Sequence, residues 1–152
     1  MSDLRERLKH LGLRAAAEQF DDLCARATRE RSSPVELLEY IVELEEKERA
    51  KNSLERRMSR SHVGHFKSMA DFDWDWPKKI DRDQVESALR LEFMEQSKNV
   101  VLVASHGLGK SMIARNIAHQ AILAGHSVIF TTAAQLLLDS AHAKRAGCST
   151  GG

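Results

Sequence analysis

The sequence predicts an α/β fold: a phosphate-loop segment with parallel strands, preceded by an all-helical N-terminal region. Three observations predict it. Apolar residues recur at helical spacing through the first sixty positions. Two short runs rich in β-branched residues, 99–103 and 127–131, flank a further helical pattern, in the β-α-β order of an α/β domain. Between the first run and that helix lies a glycine-rich turn ending in Gly109-Lys110-Ser111.

Composition narrows the class further. Of the 152 residues, 42% are hydrophobic and 30% charged, which excludes collagen-like and low-complexity chains. Cys24 and Cys148 are too few and too far apart for a disulfide framework or a zinc set. No apolar run approaches the roughly 18 residues of a membrane span. The amphipathic start, MSDLRERLKHLGL, has no signal-peptide core, so the expected compartment is the cytoplasm. The net charge of +1 hides an uneven distribution: residues 96–152 hold five basic side chains and one acidic. That shift near residue 96 marks a change of structure or task.

Taken in order, Ser2 caps a first helix with Leu4, Leu8 and Leu11 on one face, broken at Gly12. A second helix carries Ala16, Phe20, Leu23 and Ala27 at offsets of four, three and four. A third has the clearest start: Ser33 as cap, Pro34 at the first helical position and Glu36 three residues after the cap, a capping box. It runs to about Arg60, and its later part is dominated by charge. Residues 61–80 break the period and read as an ordered linker, with Phe72, Trp74 and Trp76 alternating with acids before Pro77. Asp81 caps a helix with Val85, Ala88, Leu89 and Phe93. The run 99–103 reads as a strand buried on both faces. A helix follows from Lys110 to about Ala124, with Ile113, Ile117 and Ala121 on one side, and Gly125 ends it. A second strand spans 127–131, and a further helix starts at Ala133. The expected domains are a helical region at 1–60, a linker at 61–80, an α/β segment at 81–139, and a divergent, disordered tail at 140–152.

The strongest chemical signal is Ala104-Ser105-His106-Gly107-Leu108-Gly109-Lys110-Ser111. It matches the last three fixed positions of the phosphate-loop pattern G-x-x-x-x-G-K-[ST], between a predicted strand and a predicted helix. Loop amides cradle phosphate, and the following helix start adds potential favourable to an anion. Gly107 and Gly109 allow close approach without a Cβ. Lys110 is assigned to the β- and γ-phosphates of ATP and Ser111 to Mg²⁺. Ala104 replaces the first glycine. If that position needs positive φ, alanine costs on the order of 1–2 kcal/mol; if not, little.

Other features are weaker. Hydrolysis needs a second, strand-end carboxylate, yet Asp139 is the one acid after Ser111 and falls in a helical pattern. The pair His62-x-x-His65 lacks further metal ligands. The stretch Lys47–Arg60 has two readings: a solvated helix with pairs such as Glu45–Arg49, or a basic surface for DNA phosphates centred on Arg56, Arg57 and Arg60. The aromatic linker also has two: packing between segments, or a wall of an adenine pocket.

The segments LKHLGLRAAAEQF, SPVELLEYIVELEEKERAKNSLERRM and FDWDWPKKIDRDQVESALRLEFMEQSKNVVLVASHGLGKSMIARNIAHQAILAGHSVIFTTAAQLLLD together resemble the IstB transposition helper ATPases. These are related to DnaC-type helicase loaders within the AAA+ class. The resemblance covers residues 4–139. It implies an AAA+ domain that binds ATP and Mg²⁺, self-association, double-stranded DNA and a transposase as partners, and no membrane. By position it implies a phosphate cradle at Gly107–Gly109, a phosphate contact at Lys110 and Mg²⁺ coordination at Ser111. The likeness stops near Asp139, which implies a form truncated after the second strand of the ATPase domain. Such a form lacks the Walker-B strand, sensors and arginine finger, and binds nucleotide without efficient hydrolysis. The alternatives are a DNA- or partner-binding helical module with a vestigial nucleotide site, and a nonfunctional fragment.

Overall fold

The computed structural model describes residues 2–75 and 79–147, so Trp76 and Pro77 of the aromatic linker lie outside the described residues. In chain order these residues form α1 (Ser2–His10), α2 (Arg14–Glu18), α3 (Phe20–Glu30), α4 (Pro34–Ser61), a 3-10 turn (Met69–Asp71), α5 (Arg82–Leu89), α6 (Glu92–Glu95), α7 (Lys110–Leu123) and α8 (Ala133–Gly147). The chain divides into two compact units, Met1–Glu55 and Arg56–Gly152, with the boundary inside α4.

In the first unit α1 ends where Gly12 takes φ +81°, a conformation open to glycine at little cost. The expected second helix is interrupted at Gln19 and forms α2 and α3. Its buried side chains are Ala15, Ala16, Ala17 and Leu23, whereas Leu4 and Leu11 are 48% and 75% exposed. Small alanines let neighbouring backbone approach. That approach brings in Glu45 of α4, which is buried and accepts a hydrogen bond from the Ala16 amide at 2.9 Å. The first-turn amides of α2 lack intrahelical acceptors and Leu13 offers no side-chain cap, so Glu45 caps α2 from 29 residues away. Glu45 is therefore not the surface partner of Arg49 that helical spacing suggests.

The start of α4 follows from its residues. The Ser33 amide donates to Glu36 Oε2 at 2.7 Å, and the Glu36 amide donates back to Ser33 Oγ at 3.2 Å. Donation from Ser33, its amide first, holds the Glu36 carboxyl below the usual value. In the second unit Asp81 caps α5 through its bond from the Gln84 amide at 3.0 Å. The core there includes Ser61, Val63, Val85, Ala88, Ile113, Asn116, Ala121 and Ile122. Ile117, expected on the buried side of α7, is half-buried, and Asn116 takes the interior position. The helix α8 continues past Asp139 to Gly147.

The expected α/β fold with parallel strands is corrected: among the described residues there is no strand. Residues 99–103 and 127–131 carry no ladder. Val101 and Val103 are 78% and 89% exposed, where burial on both faces was expected, and Ile129 of the second run is 77% exposed. The Phe130 amide donates to the Ser61 carbonyl at the end of α4, at 2.7 Å, and not to the other run. β-Branched runs favour extended backbone locally, but a strand exists only when a second segment supplies its hydrogen bonds.

Candidate functional site

The loop 104–111 leads into α7, and its conformation follows from its glycines. Gly107 and Gly109 take φ +84° and +80°. Gly109 is the residue that caps α7. Ala104 is not among the positive-φ residues, so its methyl carries no left-handed penalty. The first bond of the helix runs from the Ile113 amide to the Gly109 carbonyl, at 3.0 Å. The amides of Lys110, Ser111 and Met112 precede it and have no acceptor within the helix, which leaves partial positive charge at this end. Lys110 Nζ donates to the carbonyls of Ala104 and Ser105, both at 2.7 Å. The ammonium thus closes the loop on itself. Residues 104–107 and Ser111 are exposed, while Leu108, Gly109 and Lys110 are half-buried.

Residues 65–72 lie along α7 as a strap. Arg115 Nη1 donates to the His65 carbonyl at 2.8 Å, and Asn116 Nδ2 donates to the Lys67 carbonyl at 2.9 Å. Asn116 also donates to Met112 O at 2.8 Å, and the Phe66 and His119 rings lie 5.3 Å apart. At its far end the strap reaches the loop: a Cβ built on Gly109 would lie 2.6 Å from Phe72 Cε2. Phe72 meets Trp74 edge-on at 4.8 Å, and the Arg82 guanidinium lies 4.8 Å over the Trp74 ring. Phe72 and Trp74 therefore pack against protein groups. Sequence reading missed Arg115, Asn116 and the Phe72–Gly109 contact. The one available signal was a polar Asn116 between the apolar turns of α7.

The three arginines singled out for DNA do not form one cluster. Arg56 and Arg60 are exposed and lie four residues apart on one face of α4. Arg57 is half-buried, and its Nε donates to the Ile122 carbonyl at 3.3 Å, near the C-terminal end of α7, where a cation is favoured. Asp139 lies in α8, where its Oδ1 accepts from Gln135 Nε2 at 2.8 Å. A cavity of about 760 Å³ opens elsewhere, lined by Val85, Ala88, Phe93, Val101, Val103 and Ile113 and by no residue of the 104–111 loop. No described helix is long and apolar enough to cross a membrane.

The class to which this chain is related is that of ATP-binding proteins of insertion sequences. More narrowly, it belongs to the IstB-like ATP binding protein family, whose model matches residues 6–151 and so runs past Asp139. It is 27% identical over 145 residues to a protein of Pseudomonas aeruginosa named for ATP binding in insertion sequence IS21, covering 95% of this chain and 55% of the relative. A protein of Bacillus thuringiensis, similarly named for insertion sequence IS232, is 26% identical over 93% of this chain and 56% of its own. One of Mycobacterium tuberculosis, named for ATP binding in an insertion sequence, is 28% identical over 93% of this chain and 57% of its own. The chain spans about half the length of these curated relatives.

Proposed function

We propose that this chain binds ATP with Mg²⁺ at residues 104–111 and serves as a nucleotide-binding helper of DNA transposition, without efficient hydrolysis of its own. The observation that carries this reading is the Lys110 ammonium, held by the Ala104 and Ser105 carbonyls in the loop that leads into α7. A phosphate group fits such a place. Two positive-φ glycines, Gly107 and Gly109, shape the turn, and Gly107 has open space where a Cβ would stand. An ammonium has three donors, and two are used here. The third is assigned to a phosphate oxygen, and the exposed Ser111 hydroxyl to Mg²⁺. Within residues 112–152 the one carboxylate side chain that could hold Mg²⁺ or position water is Asp139, and Gln135 occupies one of its oxygens.

The reading is tested by titrating the chain with a fluorescent ATP analogue in the presence and absence of Mg²⁺. Saturable, Mg²⁺-enhanced binding is expected. A folded sample that shows no saturation overturns it.

The relatives are named for insertion sequences, which supports a transposase as partner; double-stranded DNA, self-association and a cytoplasmic location complete the reading. In this reading the DNA contact includes Arg56 and Arg60, with Arg57 serving the end of α7. Substituting both exposed arginines by alanine is expected to weaken DNA binding and lower its salt slope by about two. A slope unchanged from the parent chain takes these arginines out of the interface.

A further inference from the structure

We infer that Phe72 is a positioning residue for the loop: its ring holds Gly109 in the left-handed conformation from which Lys110 and Ser111 enter α7. The inference deepens the nucleotide-binding reading and rests on it for its consequence, though its geometry stands apart from any ligand. Phe72 Cε2 lies 2.6 Å from where a Gly109 Cβ would be, and Cζ and Cδ2 follow at 3.4 and 3.5 Å. The ring thus covers the α-carbon of the residue that caps the helix. A left-handed residue on an exposed loop is free to leave that well, and a ring packed on its α-carbon restricts it.

Phe72 is itself held. Its amide donates to the Met69 carbonyl at 3.1 Å, closing the 3-10 turn, and the Ser68 hydroxyl caps that turn by accepting from the Ala70 amide at 3.2 Å. Upstream, Arg115 and Asn116 hold the carbonyls of His65 and Lys67. Two side chains of α7 thus fix the strap, and the strap returns a ring to the start of the same helix. Trp74 meets the Phe72 ring edge-on and is backed by Arg82. Movement of the loop is therefore expected to reach Trp74 through Phe72. Gly109 is required twice, by its φ and by the space the ring fills.

The test uses the full chain and two readouts. Amide hydrogen exchange is followed without nucleotide in the parent, Phe72→Ala and Phe72→Met. The alanine variant is expected to raise exchange about tenfold at Ile113, whose amide donates to the Gly109 carbonyl, and through the turn of α7 that follows, while leaving α3 unchanged, a size within reach of one lost aromatic contact. Methionine, unbranched and long enough to reach Gly109, is expected to restore most of the protection. The second readout is Trp74 emission in a Trp76→Phe background. Mg²⁺ with ATP is expected to shift it, and Phe72→Ala to remove the shift. Unchanged exchange at Ile113 and the turn that follows it, or an equal rise across the whole chain, overturns the inference. If the parent binds no nucleotide, the proposed function fails, and the exchange measurement still decides the role of Phe72.

Discussion

Substituting Lys110 by methionine is expected to weaken binding of ATP with Mg²⁺ on the order of a hundredfold. The estimate comes from removing hydrogen bonds from a charged donor, about 1.5–3 kcal/mol each, with about 1.4 kcal/mol per tenfold. Methionine keeps most of the apolar stem, so packing changes little. What is lost is the ammonium, its two bonds to the Ala104 and Ser105 carbonyls, and its remaining donor. Two effects then add: the loop loses its internal tie, and a phosphate loses a cation. Lys110→Arg separates them, because it keeps the charge and changes the reach. Partial recovery by arginine would locate the loss in charge. Equal loss in both variants would locate it in the geometry of the tie. Binding by Lys110→Met at the parent's affinity would remove Lys110 from the site and the phosphate reading with it.

Ile122→Ala is the second large effect. Ile122 is fully buried in the unit Arg56–Gly152, beside buried Ala121. Cutting a buried isoleucine to alanine costs about 2–5 kcal/mol, the transfer term plus the cavity left behind. Set against the roughly 5–15 kcal/mol that holds a typical domain folded, this is a large fraction. Arg57 Nε is bonded to the backbone carbonyl of Ile122, so the substitution removes the side chain and leaves that acceptor in place. The expected result is faster amide exchange along α7 and an earlier unfolding midpoint by denaturant. A change under about 0.5 kcal/mol, the size of an ordinary surface substitution, would mean that α7 does not depend on this core position.

The helices were legible because their determinants are local. The capping box of Ser33 and Glu36, the proline at the first position of α4 and the Asp81 cap are each readable within four residues, and each makes its bond. Gly12 and Gly125 stand at helix ends with positive φ, as chain punctuation implies. The two glycines of the loop were legible on the same grounds, since only local backbone geometry demands them. The buried face of each helix was less so. Periodicity in α7 nominated Ile117, but the strap places a carbonyl where Asn116 can donate to it, and the amide side chain goes inside. Glu45 likewise left the solvated face because an unsatisfied amide of α2 waits in the core.

From the order of its residues alone follow most of the helical segments, the caps at Ser33 and Asp81, the glycine-rich turn and the resemblance to a family that the match over residues 6–151 bears out. Tertiary structure alone decided that the runs 99–103 and 127–131 form no ladder, that Glu45 caps α2, and that Phe72 sits on Gly109. The division has a physical cause. A helix satisfies its backbone within its own span, so a few neighbouring residues determine it. A strand bond, a buried carboxylate's partner or a ring against a glycine joins residues that are 29 or more apart in the chain or belong to separate segments, and these meet only once the whole unit has folded.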